Sequence, residues 1–286
     1  MKQKKIKKEG KKCFTPLRNQ RFLTGFNGLT TVNVELTSLC NKNCWMCGRR
    51  RIERDYPHLA NWGDMNFKLV DKIAKQLPDR IVVQLHNNGE SLLYPRFGEA
   101  AKLFHRQIRC LDTNAKLIVE KADEIIGNME TLTISVIEND PEGNKQYDLV
   151  KKFLKLRGNR KPNLIYRCLG NVDTKKWEKL PGIIATRVLH NPLGSFQYKR
   201  NPTKPEIGIC LDLLNHMVID RFGKVSICVR FDPKRLGVIG DANKTSLVDI
   251  WNSSKRKKWL EYHIGGQREK VPLCSYCEFW GVPTSS

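Results

Sequence analysis

Alternating and helical runs of apolar residues succeed one another along most of the chain. Thr31-Val-Asn-Val-Glu-Leu36 alternates at a period of two, the pattern of a strand with a buried face. Phe67, Val70, Ile73, Ala74 and Leu77 then recur at helical spacing, with Asn66 placed to cap the first turn and Pro78 to stop the last. A second strand is expected over 81–85, a helix from near Pro95, a third strand over 108–112 and a helix over 117–128. Thr131–Ile137 reads as a fourth strand, followed by a helical stripe of Tyr147, Val150, Phe153 and Leu154. The runs 163–168 and 183–189 supply a fifth and a sixth strand. Strand–helix units in series bury a parallel sheet under helices. The expected fold is therefore α/β, a partial six-stranded β/α barrel.

Pro, Gly and Lys crowd 194–209 and interrupt the pattern. We read a basic arm and lead-in over 1–28, the barrel over 29–204, and a small cysteine-bearing domain over 205–286. In that last part, Met217 to Asp220 and Val225 to Cys228 alternate around a glycine-containing turn, as in a β-hairpin. Ser246 stands where a cap is needed for a helix through Leu247, Ile250, Trp251 and Leu260. The 28 residues ahead of the first strand fall short of an ordinary domain, so no separate peptide-binding domain is expected there.

Composition narrows the classes. No run approaches 18 apolar residues, so no membrane partner is expected, and the lysine-rich start leads into no apolar signal core. The chain reads as cytoplasmic. Its ten cysteines cluster, which in such a chain favours metal ligation over disulfides. The 51 basic and 29 acidic residues leave +22, with seven lysines in residues 1–12 and further clusters at Arg49-Arg50-Arg51, Arg54 and 255–258. Most of this surplus reads as solvated surface, and a nucleic-acid partner is the alternative it raises.

The chemistry starts where the first strand ends. Cys40, Cys44 and Cys47 form a C-x3-C-x2-C loop directly after it. Three thiolates on one tight loop can hold zinc or three corners of an iron–sulfur cube, whose fourth iron then stays open to a small molecule. With Trp45 inside it, the loop resembles the signature of the radical S-adenosylmethionine (SAM) superfamily. That resemblance implies a [4Fe–4S] cluster on the three cysteines, SAM chelated to the unique iron, and Trp45 beside the adenine. It also implies an external one-electron reductant and a 5′-deoxyadenosyl radical that takes hydrogen from a substrate.

In parallel β/α folds chemistry collects at the C-terminal strand ends. The second strand leads into His86-Asn87-Asn88-Gly89-Glu90-Ser91. A glycine lets backbone approach closely, and a carboxylate there can receive an ammonium group. Asn88, Gly89, Glu90 and Ser91 resemble the family's Gly-Gly-Glu-Pro motif, which contacts the SAM amino group, with Asn and Ser replacing the first glycine and the proline. Thr113 and Asn114 resemble the segment near the nucleoside, and Ser135 stands where the family often places a SAM contact. Asp112, Glu138 and Asp140 are titratable groups able to take a proton, and the sequence does not choose among them. The catalytic acid–base residue is thus unassigned.

Cys210, Cys228, Cys274 and Cys277 form a second set, two on the hairpin frame and two as C-x2-C. Four such ligands complete one closed site, for zinc or for a cluster. The spacing of Cys210, Gly223 and Cys228 resembles the SPASM/Twitch extension of radical SAM enzymes. With no further cysteine after Cys277, the Twitch form with one auxiliary [4Fe–4S] cluster is expected, acting as electron acceptor. Cys13, Cys110 and Cys168 are left as free thiols. The leading reading is a radical SAM enzyme acting on a peptide, a sugar or another small molecule. Nucleic-acid modification is one alternative, and a zinc-stabilised nucleic-acid-binding protein without catalysis is the other.

Overall fold

The computed structural model describes residues 25–187, 189, 209–229, 232–275 and 277. Six strands, Thr31–Val34 (β1), Val82–Gln84 (β2), Ile108–Thr113 (β3), Thr131–Ile137 (β4), Asn163–Leu169 (β5) and Ile183–Arg187 (β6), pair in chain order. Every pairing is parallel, in registers such as Val32 on Val83, Leu111 on Leu132 and Ile134 on Tyr166. The α/β class and the six-stranded parallel sheet are thus as the pattern predicts.

Helices cover this sheet: Arg49–Asp55 (α1), Phe67–Gln76 (α2), Phe97–Leu103 (α3), Ala122–Ile125 (α4) and Gly143–Arg157 (α5). In α2 the periodic Leu69, Val70, Ile73 and Ala74 are buried, and Asn66 Oδ1 accepts from the Lys68 amide at 2.9 Å as the cap. The helix expected over 117–128 is reduced to α4 flanked by turns. Its amides reach back irregularly, Lys121 to Leu117 O at 2.9 Å and Ala122 to Val119 O at 3.4 Å, so no continuous ladder forms. The sequence reading also missed α1. Arg49, taken there for surface charge, is buried, donates to Ser38 O and stacks on Trp62 at 4.0 Å.

The C-terminal hairpin extends the same sheet. His216–Ile219 (β7) pairs parallel with β1, Val32 facing Met217, on the edge opposite β2. Lys224–Ser226 (β8) and Val238–Asp241 (β9) follow antiparallel, giving the order β6-β5-β4-β3-β2-β1-β7-β8-β9 among the described residues. A partial barrel leaves the β1 edge with unpaired amides and carbonyls, and β7 satisfies them. The boundary expected near 205 falls outside the described residues.

Leu211–Asn215 (α6), Leu247–Trp251 (α7) and Ser254–Ile264 (α8) complete the chain's helices as described. The single helix expected after Ser246 is two, because Ser253 accepts from the Arg256 amide and starts a new one. Arg256 then reaches back, buried, to Leu213 O and Leu214 O at 3.1 and 2.9 Å and ties α8 to α6. No helix among the described residues is long and apolar enough to cross a membrane.

Candidate active site

The loop after β1 is held from both sides. The Ser38 amide donates to Gly63 O at 2.9 Å, and the Leu39 amide donates to Thr37 Oγ1 at 3.1 Å. Lys42, between the first two cysteines, pairs with Asp140 beyond β4 at 2.5 Å with both side chains buried, and Glu142 stands 3.7 Å away. Cys47 closes a turn onto Cys44 O at 3.1 Å. Cys40, Cys44 and Cys47 are all partly buried here. Burial first, and then the neighbouring Cys47, push the Cys44 thiol up to about 12. Burial also raises Cys40, with Glu90 and Cys47 adding to it.

Three sulfurs that repel one another as thiolates suit a site completed by metal, which deprotonates a coordinating thiol outright. Among the described residues no three His, Cys, Asp or Glu groups converge closely enough to hold a single metal ion. A cubane gives each thiolate its own iron and spreads its ligands wider.

Residues 88–90 lock onto this loop. Gly89 has φ +81°, and a Cβ on it would lie 2.6 Å from the carbonyl oxygens of both Thr37 and Leu39. Glycine is thus required twice over, for its backbone angle and for the close approach. The Glu90 amide donates to Leu39 O at 2.7 Å. The Glu90 carboxylate is buried and accepts from Thr113 Oγ1 and the Asn114 amide, each at 2.8 Å, and from the Leu92 amide at 3.3 Å. A carboxylate offers about four acceptor positions, so room for one further donor such as an ammonium remains. Burial pushes this group up to about 7 against the lowering effect of those hydrogen bonds.

The other residues singled out by sequence surround this point. Asn114 Nδ2 donates to Asn41 Oδ1 at 2.8 Å and lies 4.0 Å from Cys40 Sγ. Trp45 Nε1 donates to Glu138 O at 3.0 Å, bridging the cysteine loop to the end of β4. Ser135 is joined to Asn114 through Gln146, whose Nε2 donates to both carbonyls at 2.9 and 3.0 Å. Asn88 donates to Glu35 Oε2 through both its amide, at 3.1 Å, and its side chain, at 2.9 Å. Glu35 is buried and carries a raised pKa, first from burial.

Of the three proton-accepting candidates, Asp140 is committed to Lys42 and Glu138 accepts from the Asn171 amide at 2.7 Å. Asp112 differs. It pairs with Arg167 on β5 and lies 3.3 Å from His86 Nε2. His86 O accepts from Asn33 Nδ2 at 2.8 Å, and Asn33 Oδ1 faces His216 Nε2 at 2.6 Å. This polar row crosses β7, β1, β2, β3 and β5 inside the curled sheet. Sequence reasoning missed Asn33, Glu35, Arg167 and His216. The signal was present, since Asn33 and Glu35 alternate with Val32, Val34 and Leu36 in a strand buried on both faces.

The second cysteine set gathers around α6. Burial, then Cys210 and Cys277, push the Cys274 thiol up to about 12, so these three sulfurs share one neighbourhood. Cys228 Sγ lies 3.5 Å from Asp212 Oδ2. Arg268 Nη1 donates to Cys274 O at 2.6 Å and Cys277 O at 2.9 Å, shaping the C-x2-C turn. A groove of about 650 Å³ is lined by Glu35, Asn87 and Asn88 on one side and by Asp220, Lys224 and Cys228 on the other; Cys228 is the one candidate ligand among its lining residues. Cys168 is a core thiol, Cys110 is half-buried, and Cys13 lies outside the described residues.

Comparisons with known proteins point the same way. Residues 210–278 match the SPASM model, an iron–sulfur cluster-binding domain. The S-adenosyl-L-methionine-dependent 2-deoxy-scyllo-inosamine dehydrogenase of Niallia circulans is 24% identical over 260 residues, 88% of this chain and 94% of that protein. Among solved structures, BtrN in complex with AdoMet and 2-DOIA aligns with a TM-score of 0.59 at 18% identity, covering 87% of this chain and 92% of that one. Streptococcus suis SuiB bound to precursor peptide SuiA gives 0.60 at 13% identity, covering 91% of this chain and 73% of that one. The resemblance carried by the motifs is borne out in the domain match and in the fold.

Two outcomes follow. Gly89→Ala meets two carbonyls and an unfavourable backbone angle, and is expected to cost about 2–4 kcal/mol and to loosen the cysteine loop. Thermal unfolding and iron uptake test this, and wild-type values for both would contradict it. Glu90 keeps its proton to higher pH when folded, so between the ordinary glutamate value near 4.3 and about 7 the folded state binds more protons than the unfolded. Stability of the iron-free chain should therefore fall as pH rises through that window, by on the order of 3 kcal/mol, and level off above it. Denaturant midpoints measured across pH should show this slope reduced in Glu90→Gln, and equal slopes in the two chains would contradict the assignment.

Proposed function

We propose that this radical SAM enzyme with a SPASM-type iron–sulfur domain dehydrogenates a secondary alcohol of a small, polyhydroxylated, sugar-like substrate. One observation carries the reading. A groove of about 650 Å³ lined by Glu35, Asn61, Asn87, Asn88 and Asp220 reaches Cys228 of the second set. Carboxylates and amides that can hold hydroxyl groups, beside a ligand of the electron-accepting site, suit oxidation of a polyol. The related dehydrogenase, of nearly the same length, supplies the substrate class.

When bound, SAM and its cluster supply a one-electron cleavage that yields a hydrogen-abstracting 5′-deoxyadenosyl radical. The chain's own residues do the rest. Cys40, Cys44 and Cys47 would hold the cluster and leave one iron without a protein ligand. Glu90 would use its remaining acceptor position for the SAM amino group, with Asn88 and Gly89 shaping the turn beside it. Trp45 would flank the adenine, with Thr113, Asn114 and Ser135 near the nucleoside. Cys210, Cys228, Cys274 and Cys277 would hold a closed auxiliary [4Fe–4S] cluster, suited to accepting an electron because no ligand position is open. Low-potential, thiolate-bound iron suits a reducing compartment, and we place the chain in the cytoplasm with an external one-electron reductant as partner.

A second reading is oxidation of a peptide residue, since the neighbour SuiB is bound to a precursor peptide. The test uses anaerobically reconstituted protein, a strong reductant, SAM and 2-deoxy-scyllo-inosamine as the probe alcohol. Equal amounts of 5′-deoxyadenosine and ketone are expected, and neither from the chain carrying Cys40→Ala, Cys44→Ala and Cys47→Ala. Deoxyadenosine without ketone, stimulated instead by peptides, would move the assignment to the second reading. No deoxyadenosine above the triple variant would contradict both.

A further inference from the structure

A buried guanidinium braces the base of the first cysteine loop. Arg49 is the first residue of α1 and stands two positions after Cys47. Its Nη1 donates to the carbonyl of Ser38, two positions before Cys40, so one side chain ties both ends of the loop together. Trp62 stacks on the guanidinium at 4.0 Å, and only 8% of the side chain is exposed.

A charge so placed is short of partners. Among the described residues the carboxylate facing it is Glu53, 3.9 Å from Nη2, and Glu53 already accepts from Arg50 at 2.9 Å. Nε is shielded from solvent and donates to no group among the described residues. Burying a cation is costly unless an anion answers it, and buried N–H groups are nearly always paired. Lys42, a second buried cation in the same loop, has its answer in Asp140 at 2.5 Å and Glu142 at 3.7 Å. Arg49 has only the distant, shared Glu53. Its field nevertheless reaches the ligands. Burial, and then the Glu90 carboxylate, weigh against a thiolate at Cys40, while the Lys42 amide and Arg49 favour it.

The anion that would complete this arrangement is the cluster. Three thiolates on a doubly positive core leave one net negative charge, and one-electron reduction raises it to two. Net charge and hydrogen bonds to sulfur are the levers by which a protein sets such a potential. We propose that Arg49 is a potential-setting residue, whose buried charge favours the reduced state of the cluster held by Cys40, Cys44 and Cys47. This rests on the ligand assignment above. The electron comes from the external one-electron reductant, and in this step no bond breaks and no proton moves. Arg49 acts on the cluster and touches no substrate.

A redox titration followed by electron paramagnetic resonance tests this on the full chain, reconstituted anaerobically and without SAM. The relevant signal is the one lost when Cys40, Cys44 and Cys47 are all changed to alanine. Arg49→Met keeps an unbranched side chain without the charge. It should leave about tenfold less of this cluster reduced at a given potential, a negative shift of about 59 mV. That is the scale of a unit charge about 10 Å away at an effective dielectric of about 20. Arg49→Lys keeps the charge and should stay close to wild type. The signal of the C-terminal cysteines should keep its potential in both variants. Glu53→Gln removes the carboxylate that faces Arg49 and leaves the tie to Ser38 in place, so it should move the potential the other way. This variant judges the charge effect even where Arg49→Met takes up too little iron. An unmoved potential in Arg49→Met or Glu53→Gln, or an equal negative shift in Arg49→Lys, would overturn the proposal. If the triple change removes no signal, the ligand assignment fails and the proposal falls with it. An unmoved potential beside an intact assignment overturns the proposal alone.

Discussion

The contact on which the rest of the site depends is backbone against backbone. Gly89 presses on the carbonyls of Thr37 and Leu39, and the Glu90 amide donates to Leu39 O. No side chain fits between them, so the exits of β1 and β2 behave as one piece. Glu90 extends that piece to β3 through Thr113 and Asn114, and Asn114 returns to Asn41 in the cysteine loop. Lys42 and Asp140 add β4 from the other side. Four strand ends therefore fix one short loop, the kind of support that keeps three ligands in a common geometry.

Charge is distributed to match. Two buried carboxylates, Glu35 and Glu90, face the strand-end region with raised pKa values and accept hydrogen bonds from amides and a hydroxyl rather than from guanidinium or ammonium groups. Burial raises the Cys40 and Cys44 thiols beside them as well. Acids held protonated by burial are poised to ionise when cations arrive, as cluster iron and an ammonium group would. Beyond the other strand ends, Arg167 pairs with Asp112, and Asp212 lies 3.5 Å from His216 Nδ1.

Much of this was legible in the chain. Thr131–Ile137 is apolar enough to be read to the residue, and α2 carries both its stripe and its cap. The cysteine spacings and the Asn88-Gly89-Glu90 turn pointed to two strand exits that the structure packs together. Other features were hidden for physical reasons. Helix α1 has little apolar period and is held by Arg49 on Trp62 and by the Arg51–Asp55 pair at 3.1 Å. The pairing of β7 with β1 joins residues about 185 positions apart, which no local pattern reports. The inner polar row was overlooked because each member is one polar residue in an apolar strand, and its meaning appears only when the sheet curls.

The central claim is that the chain builds one open and one closed cluster site from its two cysteine sets. The direct measurement is electron paramagnetic resonance of the reduced, reconstituted protein with and without SAM. The account predicts two reduced-cluster signals, of which one alone responds to SAM and is the one missing when Cys40, Cys44 and Cys47 are all changed to alanine. A SAM response that survives that triple change, or two signals that both respond, would contradict it.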